Sequence, residues 1–443
     1  MKKIVLISSD KVGRTMAGPG IRYFEMARAL AQDFNVTLAV PNECDLAGEG
    51  FSLKTYNSRW PSHTLKATVA PADAVVAQAL WPDLLFYLKR HKIKYIADLY
   101  DPVVIEVLEY LKNEPPARQR RTFDFHRRNL LLQVNTANHL LCATPTQRDF
   151  YLGILSGQGL ITPREYSQSD DLTRSISLLP FGLPKDPPKP PGRFKFEELY
   201  PAIRLSDKVV YWGGGIWNWF DPLTAIKAIE QISRKRSDIK LVFLGAKHPN
   251  KKIKAMAAVT EAVEYCRKHD LLDRFVFFNF DWTPYEERAG YLARANIGIS
   301  THRQNLETHF SFRTRILDYL WAELPMVLTE GDALSEMVRE KNLGAVIKAS
   351  DVPGAARAII ELADNGRRRD EIKRNIRAVK DQYCWERVVA NLADLIKRDT
   401  LPDRPLSYLK LLRLAKNFYW AGMIKKLNSK SQITNVWKLI IGL

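Results

Sequence analysis

The stretch from Ile297 to Asp332, IGISTHRQNLETHFSFRTRILDYLWAELPMVLTEGD, gathers the residue types best suited to chemistry: Glu307, Ser311, Phe312, Arg313, Arg315 and Asp318. Ser311 is a good helix-capping residue. A helix starting there carries Arg313 and Arg315 in its first turn, beside backbone N–H groups that have no intrahelical partner. The helix dipole disfavours cations at that end, so the two guanidiniums call for an external anion, and a phosphate suits amides and arginines together. Solvated or salt-bridged arginines are the alternative reading of the same residues.

Two glycine-rich turns have a related character. Trp212 is followed by GGGIWNWFDP, in which Gly213, Gly214 and Gly215 allow close approach to the backbone. Trp217 and Trp219 in that turn offer rings either to a sugar or base or to packing on a sheet. Near the start of the chain, DKVGRTMAGPG brings Gly18 and Gly20 between a first strand and a first helix, without the GxGxxG spacing of a dinucleotide fold. Asp101, in the YDP that ends a strand, is placed to orient an acceptor hydroxyl, to act as a base, or simply to cap the next helix.

The elements that must position these residues are legible as short apolar runs alternating with helical patterns. Strands are expected at 3–9, 35–40, 74–77, 95–99, 139–143 and 177–183, then at 208–212, 239–245, 274–279, 297–300 and around 325–329. Helices are expected at 21–31, 82–92, 223–232 and 285–295, so each half repeats strand, helix, strand, the pattern of a doubly wound parallel sheet. Between the halves, PKDPPKPPGRF is a stiff spacer that continues neither helix nor central strand. The expected division is 1–183, a linker at 184–204, a second domain at 205–380, a crossing helix at 381–400 and a tail at 401–443.

The central stretch resembles the donor-binding signature of GT-B glycosyltransferases, in particular the retaining family 4 type. Ser311 and Phe312 match the family's serine-phenylalanine turn, Asp318 falls on its second acid, and Pro325, Met326 and Val327 match its strand entry. Pro180, Phe181 and Gly182 match the turn before the hinge. Three positions depart: Phe310 stands on the first acid, Arg313 on a glycine, and Glu323 on the glycine before Pro325. The resemblance implies two Rossmann-like domains facing a cleft, a nucleotide-sugar donor, a retaining reaction and no metal or other cofactor. By the same likeness Asp318 holds the donor's ribose, Asp332 lies near the donor, Gly18, Gly20 and Arg22 lie against the cleft, and Glu307 contacts sugar or acceptor. The family's arginine and lysine are missing between Trp212 and Pro222, so amides of Gly213, Gly214 and Gly215 with Arg313 and Arg315 are expected to meet the diphosphate.

At 443 residues the chain holds two domains of ordinary size. A formal charge of +18 favours anionic partners, but no nucleic-acid motif accompanies it. The four cysteines lack metal or redox spacing and suit a reducing compartment. No run is apolar enough to span a membrane. The run ARQRRTFDFHRR at 117–128 reads as a membrane or acceptor surface, or as a solvated helix face. The tail carries eight Lys or Arg against one acid, with Leu411, Leu412, Ala415, Phe418 and Tyr419 on one helical face and Lys410, Arg413 and Lys416 on another, flanked by Trp420 and Trp437. Such a segment reads as a surface anchor on an anionic membrane, or as a helix packed on its own domain. The expectation is a cytoplasmic, peripherally bound glycosyltransferase acting on a polysaccharide or lipid-linked glycan. The alternative is a non-catalytic nucleotide-sugar or glycan-binding scaffold.

Overall fold

The computed structural model describes residues 1–58, 62–246, 256–403 and 408–423. Two compact units divide the described residues: the first takes Met1–Lys11, Met26–Leu179 and the described residues from Asn391 onward, the second Val12–Glu25 and Pro180–Ala390.

The first unit is built on a seven-stranded sheet. Its strands are β1 (Lys3–Ile7), β2 (Asn35–Val40), β3 (Ser52–Thr55), β4 (Ala74–Ala77), β5 (Lys94–Asp98), β6 (His139–Cys142) and β7 (Ile176–Leu178). They lie in the order β3-β2-β1-β4-β5-β6-β7, with every pairing parallel. The second unit has six strands: β8 (Lys208–Trp212), β9 (Ile239–Phe243), β10 (Val276–Phe278), β11 (Ile297–Ser300), β12 (Met326–Thr329) and β13 (Gly344–Ile347). Their order is β10-β9-β8-β11-β12-β13, again parallel throughout. Helices cover both faces of each sheet, which is why AVVA, HLLC, IGIS and MVLT are buried at every position.

In each sheet the winding reverses once, at β1/β4 and at β8/β11. Crossovers diverge there, so the loops leaving the carboxyl ends of those strands open a crevice between them. In the second unit these are the loops carrying Gly213–Gly215 and residues 301–313.

Besides the grouping of Val12–Glu25 with the second unit, the organisation differs from expectation in three places. Pro180–Gly182 and the proline-rich stretch belong to the second unit: Trp321 Nε1 donates to the Asp186 carbonyl at 2.5 Å, and a Cβ on Gly182 would lie 2.5 Å from the Trp385 indole. Trp385 stays with that turn, its ring 5.2 Å from Phe181, so the chain passes to the first unit at Asn391 and not at 381. The helix Tyr408–Met423 packs on the helix Pro116–Thr136. Its Leu411 is fully buried in the core of the first unit and Ala415 is buried too, so these two, expected to face a membrane, are covered by protein. Tyr408 and Leu409 are exposed. The expectations for Phe418, Tyr419, Trp420 and Trp437 lie outside the described side chains.

Candidate functional site

The glycine turn after β8 is tied across the switch point before any ligand is considered. Phe220 bridges His302, Asp221 N–H donates to the Thr301 carbonyl at 3.0 Å, and Thr301 Oγ1 donates to the Asp221 carbonyl at 2.5 Å. Asp221 also caps the helix Pro222–Ser233 by accepting from Thr224 N–H. Tyr319, on the helix Thr314–Trp321, completes the frame. Its hydroxyl accepts from Gly213 N–H at 3.1 Å and reaches the Ile299 carbonyl at 2.8 Å. Gly298 is required for this approach, since a Cβ there would stand 2.6 Å from the Tyr319 ring. Of the three glycine amides expected to meet a ligand, that of Gly213 is thus held inside the protein. Gly214, at φ +71 and exposed, forms the apex of the turn.

Residues 305–313 are not a plain loop. Asn305 caps a short helix, Leu306–Phe310, by accepting from Thr308 N–H at 2.9 Å, and Ser311 Oγ donates back to the Thr308 carbonyl. Ser311 therefore closes that helix instead of opening the next, which begins at Thr314 with Arg313 as its flanking residue. The short helix turns Glu307 inward. Arg313 Nη1 donates to Glu307 Oε1 at 2.8 Å and Nη2 to Oε2 at 2.6 Å, a two-pronged pair whose side chains are 4% and 1% exposed. The external anion expected for Arg313 is replaced by an internal one, and Glu307 is spent in the same pair. Phe312 is half-buried beside them.

Arg315 has a different environment. Its Nη2 donates to the Gly215 carbonyl at 2.7 Å, while Nη1 has no protein partner. The guanidinium lies 4.0 Å from the Phe220 ring centre and 4.8 Å from that of Trp212. Burial lowers its pKa to about 10, which leaves it charged at neutral pH beneath the glycine turn. Trp217 and Trp219 stack in parallel at 5.2 Å; Trp219 is buried and Trp217 half-buried.

Asp318 is on the same helix as Arg315, with its side chain a quarter exposed and Oδ1 3.0 Å from Arg288 Nη1. Asp332 caps the helix Ala333–Glu340, accepting from Leu334 and Ser335 N–H at 2.9 and 2.8 Å. His302 stands 3.8 Å away, yet burial and then Arg313 press its pKa down to about 3, so it faces Asp332 as a neutral ring too far for a hydrogen bond. Burial raises Asp332 to about 6. An acid whose native pKa exceeds its unfolded value, about 3.9, contributes stability below that value and loses it as pH rises through 6. Asp332→Asn, which keeps a capping oxygen, is therefore expected to be close to neutral at pH 4 and more stable than the parent at pH 7.5 by up to about 3 kcal/mol. Urea unfolding at the two pH values measures this, and equal differences at both would refute it.

The remaining expected residues lie elsewhere. Gly18 opens the helix Gly18–Leu30, with Gly20 in its first turn. Arg22 is wholly buried with Nη1 donating to the Pro180 carbonyl at 2.9 Å, a bond within the second unit. Asp101 belongs to the first unit, beyond β5, where its carbonyl accepts from Val103 N–H and Tyr151 Oη. The helix Val103–Leu111 has no side-chain cap. Sequence reasoning missed His302, whose position two residues past a strand's carboxyl end was a usable signal. It also missed Tyr319 and Arg288, for which no local signal exists.

Among the described residues no group of three His, Cys, Asp or Glu is arranged to hold a metal ion, and no helix is long and apolar enough to cross a membrane. Residues 207–365 match the family model described as glycosyl transferases group 1. No curated protein sequence matches the chain. Among solved structures, it is similar to sucrose-phosphate synthase from Thermosynechococcus elongatus at 14% identity and TM-score 0.62, covering 90% of this chain and 99% of that one. HepE from Anabaena, in complex with UDP-glucose, is similar at 12% identity and TM-score 0.64, covering 90% and 100%. WaaG, a glycosyltransferase involved in lipopolysaccharide biosynthesis, is similar at 16% identity and TM-score 0.57, covering 89% and 99%. With two doubly wound parallel sheets, the chain has the GT-B fold of these structures, and its residues 207–365 form a group 1 glycosyl transferase domain.

Proposed function

We propose that the chain moves a sugar from a nucleotide-sugar donor to a polysaccharide or lipid-linked glycan, with retention of configuration and without a metal ion. The observation that carries this is Arg315, a buried and still charged guanidinium with one unpartnered N–H face, below a glycine turn at the switch point of the second sheet and on one helix with Asp318. In this reading the bond from the sugar's anomeric carbon to the diphosphate breaks, and its electron pair passes to the departing phosphate oxygen. Arg315 and the N–H groups of Gly214 and Gly215 stabilise that charge, and the acceptor hydroxyl bonds to the anomeric carbon on the same face while its proton passes to the leaving phosphate. Asp318 accepts hydrogen bonds from the ribose. The complex of HepE with UDP-glucose and the involvement of WaaG in lipopolysaccharide biosynthesis support a nucleotide-sugar donor and a polysaccharide or lipid-linked glycan acceptor.

A panel of nucleotide sugars, UDP-glucose among them, incubated with the protein without added metal tests this reading through release of nucleoside diphosphate. Release from one donor is the expected result. The pairing of Glu307 with Arg313 favours one competing reading, a scaffold that holds the donor, because it removes a carboxylate from use on the sugar. That reading requires tight donor binding with no release even when acceptor glycans are supplied.

The same proposal places the protein on the cytoplasmic face of an anionic membrane. Exposed Tyr408 and Leu409 sit beside exposed Lys410, Arg413 and Lys416 on the terminal helix, an apolar tip within a basic surface. At roughly 1 kcal/mol per basic residue near an anionic leaflet, replacing all three by Gln is expected to weaken binding to phosphatidylserine vesicles about a hundredfold. Unchanged sedimentation with such vesicles would refute it.

A further inference from the structure

We propose that Arg288 is a positioning residue for the donor's nucleoside, keeping Asp318 ionised and aimed, and that Arg288 is itself set by a Glu25–Tyr285 pair. This rests on the reading of Asp318 as the group that accepts the ribose hydroxyls.

The four side chains form one polar relay inside the second unit. Tyr285 Oη donates its only proton to Glu25 Oε1 at 2.8 Å, so toward Arg288 it acts as acceptor, and Arg288 Nη2 donates to it at 2.9 Å. The other prong, Nη1, is 3.0 Å from Asp318 Oδ1. The guanidinium plane is further confined by the Tyr285 ring, 4.1 Å from its central carbon, and by the Trp321 ring at 4.8 Å. The Arg288 side chain is 13% exposed and Glu25 is 1% exposed, whereas that of Asp318 keeps a quarter of its surface open. The relay is thus closed at the glutamate and open at the aspartate, which is the end a ligand can reach.

The relay also explains why Val12–Glu25 groups with the second unit. Tyr285 N–H donates to the Arg14 carbonyl at 2.7 Å, and Trp282 Nε1 to the Met16 carbonyl at 3.2 Å, so the glycine-rich turn after β1 is bonded to the segment that carries Arg288. An ionised Asp318 needs such support. Burial holds its pKa above the ordinary aspartate value, even though Arg288 and then Arg315 lower it. Tyr211 approaches from β8, and Tyr285 and Glu25 stand behind Arg288. With Arg288 removed, Arg315 on its own helix is the remaining cation facing the carboxylate. A protonated carboxyl has one oxygen fewer to offer two ribose hydroxyls.

The test is UDP binding to the full-length protein by calorimetry between pH 5.5 and 8.5, comparing Arg288→Gln, Arg288→Lys, Tyr285→Phe and Asp318→Asn with the parent. The expected result is a parent affinity that changes little with pH. For Arg288→Gln the expected loss is about tenfold at pH 8.5 and grows as pH falls, while Arg288→Lys stays within a few-fold of the parent at every pH. Tyr285→Phe, which removes the acceptor and keeps the ring, is expected to lie between the two. A loss in Arg288→Gln that is the same at every pH and not rescued by lysine would mark a merely structural role and overturn the inference. Asp318→Asn weakened while Arg288→Gln binds as the parent would overturn the inference alone. Asp318→Asn binding UDP as the parent would remove the ribose reading on which it rests.

Discussion

Glu307→Ala is expected to destabilise the second unit by about 3–5 kcal/mol, because it strands the buried Arg313 guanidinium without its counterion. The double variant Glu307→Ala, Arg313→Met is expected to recover most of that loss, since removing both charges of a buried pair is far less costly than removing one. Phe220, whose ring centre lies 4.8 Å from the Arg313 guanidinium, offers a surface on which a methionine side chain can pack. Urea unfolding of the parent, both single variants and the double variant completes the cycle. A coupling below about 1 kcal/mol would mean that the pair behaves as an exposed one, against its burial. The experiment also separates two roles for Glu307. If its task is to hold Arg313, activity of the refolded double variant survives; if its carboxylate touches the sugar, stability returns and activity does not.

Arg315→Met is expected to lower turnover by about two to three orders of magnitude, the usual loss on removing one preorganised donor to a developing anion. Its effect on stability should run the other way. A charged group that burial already presses to about 10 is replaced by an apolar one of similar length between the rings of Phe220 and Trp212, so the unfolding midpoint should hold or rise. Arg315→Lys should remain poorly active, since an ammonium cannot reach the Gly215 carbonyl and present a second N–H face in one plane. Donor turnover and urea unfolding on the same preparations measure both effects. Loss of fold in Arg315→Met, or turnover within a few-fold of the parent, would each remove Arg315 from the role assigned to it.

The alternation of short buried strands with helices, and from it the fold class, was decided by local sequence. Runs such as NVTLAV, AVVA, KVVYW and IGIS are apolar enough to be read as strands covered on both faces, and they occur at the residues expected. One edge strand of each sheet escaped that reading. β3 has the sequence SLKT with three of its four residues exposed, and β13 is GAVI with three half-buried, so neither shows the apolar run of a central strand. The framework of the donor motif was legible for the same reason as the central strands, because Phe312, Asp318 and Pro325 recur at fixed spacing.

What each polar residue touches was decided only by tertiary structure. Glu307 and Arg313 are six residues apart, but their pairing depends on the short helix Leu306–Phe310, too brief for periodicity to reveal. Asp318 and Arg288 are brought together by two different helices, and Tyr285 and Glu25 meet 260 positions apart in the chain. Gly213 loses its amide to a tyrosine 106 residues away. A hydrogen bond or an ion pair depends on a few tenths of an ångström and on an angle, whereas sequence periodicity reports only which face of an element is apolar. Periodicity was therefore enough to show that two sheets form, whereas packing alone determined their strand order and that Arg313 is paired with Glu307 while Arg315 keeps one N–H group without a protein partner.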